Sequence, residues 1–313
     1  MNSENDSTIK PAILIQSLNK TYSNGVQAIK NIDLEIPKGE FFALLGLNGA
    51  GKTTTIGVLT GLVNKTGGHV EVAGIDIDKH PAQSRTHLGV VPQEFNFNMF
   101  EQVLDIVVNQ AGYYGITDTI ARPRAIEILT RLGLADKLKV TARTLSGGMK
   151  RRLMIARALI HEPEILILDE PTAGVDVELR IGMWDYLKEI NQNRGVTILL
   201  TTHYLEEVEA LCNRAAIIKG GEIVKLDTVR NLMNSLENES YSIELKDNFE
   251  ASELPTNNFS LVKIDEKTLE ASLNKSQTLN DLIAILTENK IIVNGIRPKG
   301  NRLEELFVSV VSG

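Results

Sequence analysis

The chain has 313 residues, 42% of them hydrophobic, 23% charged and 5% aromatic, and 33 basic against 40 acidic side chains leave a formal charge of −7. At about 100–200 residues per domain this length predicts one large domain with or without a small appendage, and the composition excludes a disordered or fibrous chain. The acidic balance argues against a broad nucleic-acid surface, and a single cysteine, Cys212, excludes an intrachain disulfide or a Cys-based metal site.

In chain order, residues 1–10 are polar and include acidic side chains, so neither a secretory signal nor a transit peptide is expected there. Residues 12–18, 32–36 and 69–72 alternate apolar and polar side chains, the pattern of half-exposed antiparallel strands. The runs 41–45, 165–168 and 196–200 are almost wholly apolar and predict strands buried on both faces, hence an α/β fold with a largely parallel sheet. All apolar runs fall far short of the roughly 20 residues that cross a bilayer. Strand character disappears after Gln93, and 101–114 and 118–132 show helical spacing instead, so a helical insertion is expected over about 94–160. Asn, Ser and Glu crowd 234–240, which places a boundary between a first domain, 12–236, and a second, 240–313. The second reads as a small α+β unit: strands at 241–245, 261–264, 269–273 and 291–296, helices at 278–289 and 302–311.

Gly46-Leu47-Asn48-Gly49-Ala50-Gly51-Lys52-Thr53 fits G-x-x-x-x-G-K-[ST], directly after the buried strand 41–45 and before helical residues 54–62. Three residues without Cβ let the backbone curl and aim its N–H groups at a phosphate beside a helix N-terminus. Lys52 is expected to neutralise β and γ oxygens, Thr53 to offer a hydroxyl to Mg²⁺, and Thr54 to add a donor. A glycine-rich turn is the alternative, and the strand and helix flanks weigh against it.

Residues 165–170 form an apolar run ending in Asp169 and Glu170, after which Pro171 stops the strand. Strand C-termini are where ligands sit in a parallel sheet. Asp169 is expected to hold Mg²⁺ and Glu170 to polarise an attacking water, the alternative being an acidic pair that caps the next segment. His203, behind the run 196–200, could reach a γ-phosphate or its water, or be structural. Leu145-Ser146-Gly147-Gly148-Met149 opens an Arg-rich helix; Ser146 is a good N-cap, and the glycines leave room for an anion or mark only a capped helix.

Taken together and in this order, GLNGAGKTT, Gln93, LSGGMKRR, LILDEPTAGVD and TTHYLEE resemble the nucleotide-binding domain of ATP-binding cassette (ABC) transporters, over about residues 13–226. Within that family they are most similar to ATPase subunits that serve separate ABC-2 type export permeases, the YadG-like proteins among them. The segment NRLEELFVSVV also resembles the small domain appended to many such ATPases. The resemblance implies an ATPase with ATP and Mg²⁺, a homodimer closed around two ATP, a separate ABC-2 type permease and a peripheral place on the cytoplasmic face of the membrane. The alternative is a soluble ABC ATPase acting on DNA or ribosomes. Against it stand the lack of a long coiled-coil insertion, of a second cassette and of broad basic character, so no nucleic acid is expected. The resemblance implies that Tyr22 stacks on adenine, that Gln93 touches Mg²⁺ and the attacking water, and that Ser146, Gly147 and Gly148 close on the γ-phosphate held by the other subunit. It further implies that residues 173–176, ending in Asp176, cross the dimer interface. Met149 stands where the family usually has glutamine, and Ala-Gly-Val-Asp where it has Ser-Ala-Leu-Asp. Phe95, Phe97, Met99 and Phe100, just behind Gln93, are read either as insertion core or as a groove for permease helices.

Overall fold

A computed structural model of the chain describes residues 10–172, 175, 177–202, 204–235, 238–249, 259–274, 276–299 and 302–312. They form two compact units, one ending at Val229 and the other beginning at Arg230.

The first unit opens with the antiparallel pair β1 (Ile13–Thr21) and β2 (Gln27–Ile36). There follow β3 (Phe41–Leu45), α1 (Lys52–Leu59), β4 (Gly67–Val72), β5 (Ile75–Asp76), α2 (Pro81–Thr86) and β6 (Leu88–Val91). Three helices come next, α3 (Val103–Tyr113), α4 (Asp118–Arg131) and α5 (Gly147–Leu159), and they form the expected helical insertion. The chain returns through β7 (Ile165–Asp169), α6 (Val177–Arg194), β8 (Thr197–Thr201), α7 (Leu205–Leu211), β9 (Arg214–Lys219) and β10 (Glu222–Thr228), and α8 (Val229–Asn234) leads into the second unit.

Two sheets build the first unit. The order β2-β1-β4-β5 is wholly antiparallel, as the alternating pattern requires. The order β10-β9-β3-β8-β7-β6 is parallel except for β10 at its edge. Successive side chains of a strand point to opposite faces, so each apolar run feeds two cores. Leu166, Leu168, Ile198 and Leu200 join an apolar cluster with α3, α4, α5 and α6. Ile165, Ile167 and Leu199 join a second cluster with Ile13, Ile15 and Ile56, from β1 and α1. Burial on both faces is why β3, β7 and β8 carry apolar residues at nearly every position.

Some boundaries differ from the sequence reading. The predicted helix 54–62 begins at Lys52, because Gly51 at φ 116° makes the turn into it, and it ends at Leu59 ahead of Gly61 at φ 75°. The strand predicted at 196–200 lies one residue later. Gly195 turns the chain at φ 67°, and the Thr197 amide then donates to the Glu164 carbonyl (3.0 Å), which sets the register.

The second unit contains β11 (Asn238–Leu245), β12 (Ser260–Lys263), β13 (Thr268–Asn274), α9 (Leu279–Glu288), β14 (Val293–Pro298) and α10 (Arg302–Ser312). Its sheet is antiparallel in the order β12-β13-β11-β14. Thr278 and Asp281 form a capping box at the start of α9. Leu282 and Leu286 then bury against Tyr241, Ile243 and Leu269.

Candidate functional site

The site starts from the turn between β3 and α1. A Cβ on Gly46 would lie 2.6 Å from the Ile218 carbonyl oxygen and 2.7 Å from its Cγ2, so only glycine lets the loop lie this close to β9. Gly49 and Gly51 take positive φ, 80° and 116°, which a side chain would strain. The curl brings Lys52 back over its own loop, where Nζ donates to the carbonyls of Gly46 (2.6 Å) and Leu47 (3.2 Å). Lys52 is buried, and loss of water lowers its pKa, an effect partly offset by the negative charges of Glu170 and Asp169.

Those carboxylates arrive on β7. Asp169 is buried and accepts a hydrogen bond from Thr201 Oγ1 (2.5 Å) at the end of β8. The next backbone amide, Glu170 N–H, donates to the Thr201 carbonyl (2.9 Å), and Glu170 itself adopts φ 49°. This left-handed conformation is uncommon for a residue with a Cβ, and it breaks the alternation of the strand at the point where the carboxylate is presented. Pairing of Val91 with Leu168 carries the chain beyond β6 to the same end of the sheet. There Gln93 Nε2 donates to Glu170 Oε2 (3.2 Å).

Leu47, Asn48, Gly49, Gly51, Lys52, Thr53, Thr54, Gln93, Asp169 and Glu170 line one cleft of about 140 Å³. It sits at the C-terminal ends of parallel strands, where the fold gathers loop amides, a helix N-terminus, an ammonium and two carboxylates. A larger cavity of about 300 Å³ lies at the opposite strand ends, against Glu164 and Thr197, and it has no phosphate-cradling backbone. The cleft suits a hard cation: the Thr53 hydroxyl, the Gln93 amide oxygen and the carboxylates offer oxygen donors. Among the described residues no cluster of three or more His, Cys, Asp or Glu forms a metal cage. Few side-chain ligands beside substrate oxygens is the donor set that Mg²⁺ uses.

Other predicted residues lie beside the cleft. Ala50 is buried within the loop. The Tyr22 hydroxyl is 3.3 Å from Thr54 Oγ1, while its ring stays partly exposed next to the loop, with Lys20 Nζ 4.9 Å from the ring centre. Ser146 caps α5, its Oγ accepting from the Met149 amide (3.3 Å). Ser146, Gly147 and Gly148 are absent from the lining of this chain's cleft. Met149 packs against the helical core. His203 and Asp176 lie outside the described residues, as do Ala173 and Gly174.

Sequence reading missed three contributors. Thr201 ties Asp169 to the Glu170 backbone. Glu207 on α7 is wholly buried and accepts from Thr172 Oγ1 (2.5 Å) and Trp184 Nε1 (3.2 Å), which fastens the segment after Glu170 to α6 and α7. Arg151 on α5 is buried, and its guanidinium donates to the carbonyls of Pro92 (2.7 Å) and Gln93 (2.8 Å). Helical spacing carried a signal for it: Arg151 shares a face with Gly148 and Ile155, both buried.

Known proteins are similar to this chain in sequence and in fold. The profile of the family described as ABC transporter matches residues 29–173. The linearmycin resistance ATP-binding protein LnrL of Bacillus subtilis is 34% identical over 94% of this chain and 96% of its own length. The Nod factor export ATP-binding protein I of Cupriavidus pinatubonensis is 38% identical over 71% of this chain and 67% of its own. Among solved structures, the dimeric ATP-binding cassette MJ0796 bound to ADP and Pi superposes with a TM-score of 0.65 at 29% identity, covering 70% of this chain and 99% of that one. CbiO1 of Clostridium perfringens, part of the transporter complex cbiONQ, gives 0.67 at 29% identity over 72% and 92%. On this likeness along nearly its whole length, the chain belongs to the ATP-binding proteins of ABC transporters, the family that hydrolyses ATP to drive transport.

Proposed function

We propose that the chain is the ATP-hydrolysing subunit of an exporter, that it closes as a homodimer around two ATP, and that it drives a separate ABC-2 type permease from the cytoplasmic face of the membrane. The observation that carries the hydrolytic part is the single cleft holding the phosphate loop, Lys52, Asp169, Glu170 and Gln93. In this reading the loop amides and Lys52 hold the β- and γ-phosphates, with Thr54 a further donor. Tyr22 stacks on the base beside the loop. Glu170 takes the proton of the attacking water, and Gln93 orients that water through its contact with Glu170. Mg²⁺, held by Thr53, Asp169 and Gln93, would supply charge neutralisation at the phosphates. His203 is assigned to the γ-phosphate side, and Asp176 to the subunit interface.

The dimer follows from what the cleft lacks. One chain carries one phosphate loop and one capped signature helix, and Ser146 to Gly148 do not line their own cleft. A second copy facing the first supplies them, and MJ0796 is dimeric in its structure with ADP and Pi. Closure is coupled to ATP because ATP binds the closed pair more tightly than the open one. Export is favoured by the relatives' names: one is a resistance protein, which matches over 94% of the chain, and several are export proteins. A methionine import protein is likewise 38% identical, over 68% of the chain, a share like that of the export proteins, so the weight for export rests on LnrL and on the number of export relatives. Phe95 and Phe100, which follow Gln93 in the chain, are exposed, while Phe97 is partly buried against the helical core. They divide between the two sequence readings, and the exposed pair suits a permease groove. No described helix is long and apolar enough to cross a membrane, and this reading gives the path for a substrate to the permease.

One experiment addresses both halves. Glu170→Gln, expressed with its neighbouring membrane proteins, should bind ATP, slow hydrolysis by about 10²–10⁴-fold, accumulate as a dimer and copurify with a permease. Normal turnover would refute the assignment of the base. Recovery with ribosomes or nucleic acid in place of a membrane protein would refute the transport partner.

A further inference from the structure

Arg151 connects the two ends of the helical insertion. It projects from the second turn of α5, the helix capped by Ser146, and its two terminal nitrogens reach the carbonyls of Pro92 and Gln93. The guanidinium also sits 5.3 Å from the centre of the Phe95 ring. Two turns further along the same helix, Arg157 donates to the Asn96 carbonyl (3.0 Å) and to Asn96 Oδ1 (2.7 Å). The loop after β6 is therefore fastened to α5 through Pro92, Gln93 and Asn96, and it meets the carboxylate end of β7 through the Gln93 amide on Glu170.

We propose that Arg151 is a positioning residue for hydrolysis: by holding the Pro92 and Gln93 carbonyls on α5, it sets the reach of the Gln93 amide to Glu170 and makes the signature helix and this loop move as one body. The inference rests on the hydrolytic reading of Glu170 and Gln93 given above.

The chemistry suits arginine. A planar fork presents two N–H groups in fixed directions to two adjacent carbonyls, whereas a lysine offers one point charge that satisfies them less specifically. Burial works against the charged guanidinium, and the nearby charges of Asp169 and Glu170 favour it, so this cation also belongs to the electrostatics of the cleft. Because Ser146 caps α5, a push on the loop around Phe95 is carried both to Gln93 and to the surface that the second subunit's ATP would meet.

The test is a double-mutant cycle on the purified full-length chain, with Glu170→Gln alongside as the control. Arg151→Gln should lower kcat about tenfold or more with a much smaller change in the KM for ATP, since it disturbs the group that orients the water while the phosphate loop, Lys52, Thr53 and Asp169 still hold the nucleotide and its cation. In a Gln93→Ala background the same substitution should cost less than about twofold, because the group through which Arg151 acts is gone. Arg151→Lys should recover only part of the rate, and it provides the same cycle if the glutamine variant does not fold. Equal losses in both backgrounds, a rise in KM alone, or full activity of the lysine variant would overturn the proposal. Normal turnover of Glu170→Gln would instead condemn the hydrolytic reading, whatever the cycle shows.

Discussion

Lys52 illustrates how a single residue can carry a measurable signature of the site. Folding removes its ammonium from water and lowers its pKa relative to the unfolded chain, with Glu170 and Asp169 offsetting part of that effect. Between the two pKa values the unfolded chain binds more protons, so the contribution of Lys52 to stability rises with pH there; below both values its burial penalty is present in full. Phosphate oxygens act in the opposite direction, because an anion beside the ammonium favours its charged form. ATP binding on the alkaline side should therefore take up a proton. Calorimetric titration in two buffers of different ionisation enthalpy would measure the uptake, and Lys52→Met should abolish it along with most of the affinity. Proton release on binding would contradict the placement of Lys52 at the phosphates.

Among the elements, α5 has the most varied duties. Its first residues are capped by Ser146, its middle holds the Gln93 loop, and Arg152 donates to the Leu132 carbonyl (2.6 Å) at the end of α4. Its far end rests on β6 at Gly89, where a Cβ would lie 2.4 Å from the Ala158 carbonyl and 2.9 Å from Pro163 Cγ. Gly89→Ala should push helix and strand apart and lower stability by about 1–3 kcal/mol, measured as a fall in the urea midpoint. An unchanged midpoint would mean that α5 is free to shift. These elements were legible in the sequence to different degrees. The phosphate loop could be read because its glycines, lysine and threonine are contiguous, and Asp169 and Glu170 because they interrupt an apolar run. Arg151 was hidden in Lys-Arg-Arg, whose charge gives no sign that both arginines are buried and that one of them faces the Gln93 loop. The role of Thr201 was missed because the strand was placed one residue early, which left the threonine outside it. Strand order was illegible altogether: nothing local in Phe41–Leu45 says that its neighbours come from the far end of the domain.

At the scale of the molecule, the two units differ in what they contribute. The first contains the whole of the described cleft, and the likeness to LnrL extends across the second as well. The strand order of the first unit has a consequence in time. β3, which leads into the phosphate loop, pairs only with β8 and β9. A ribosome therefore releases β3 about 150 residues before its first partner, Thr197 onward, exists. At about 5–20 residues per second that interval lasts on the order of ten to thirty seconds, during which an apolar strand waits without its native pairing. Nascent chains stalled before β8 should be cut readily by protease near the phosphate loop, and chains stalled beyond β9, with the exit tunnel cleared, should resist. Protection before β8 would mean that the loop is ordered without its sheet. For this ATPase, synthesis order delivers the phosphate loop well before β8 and β9, the strands that turn it into a nucleotide site.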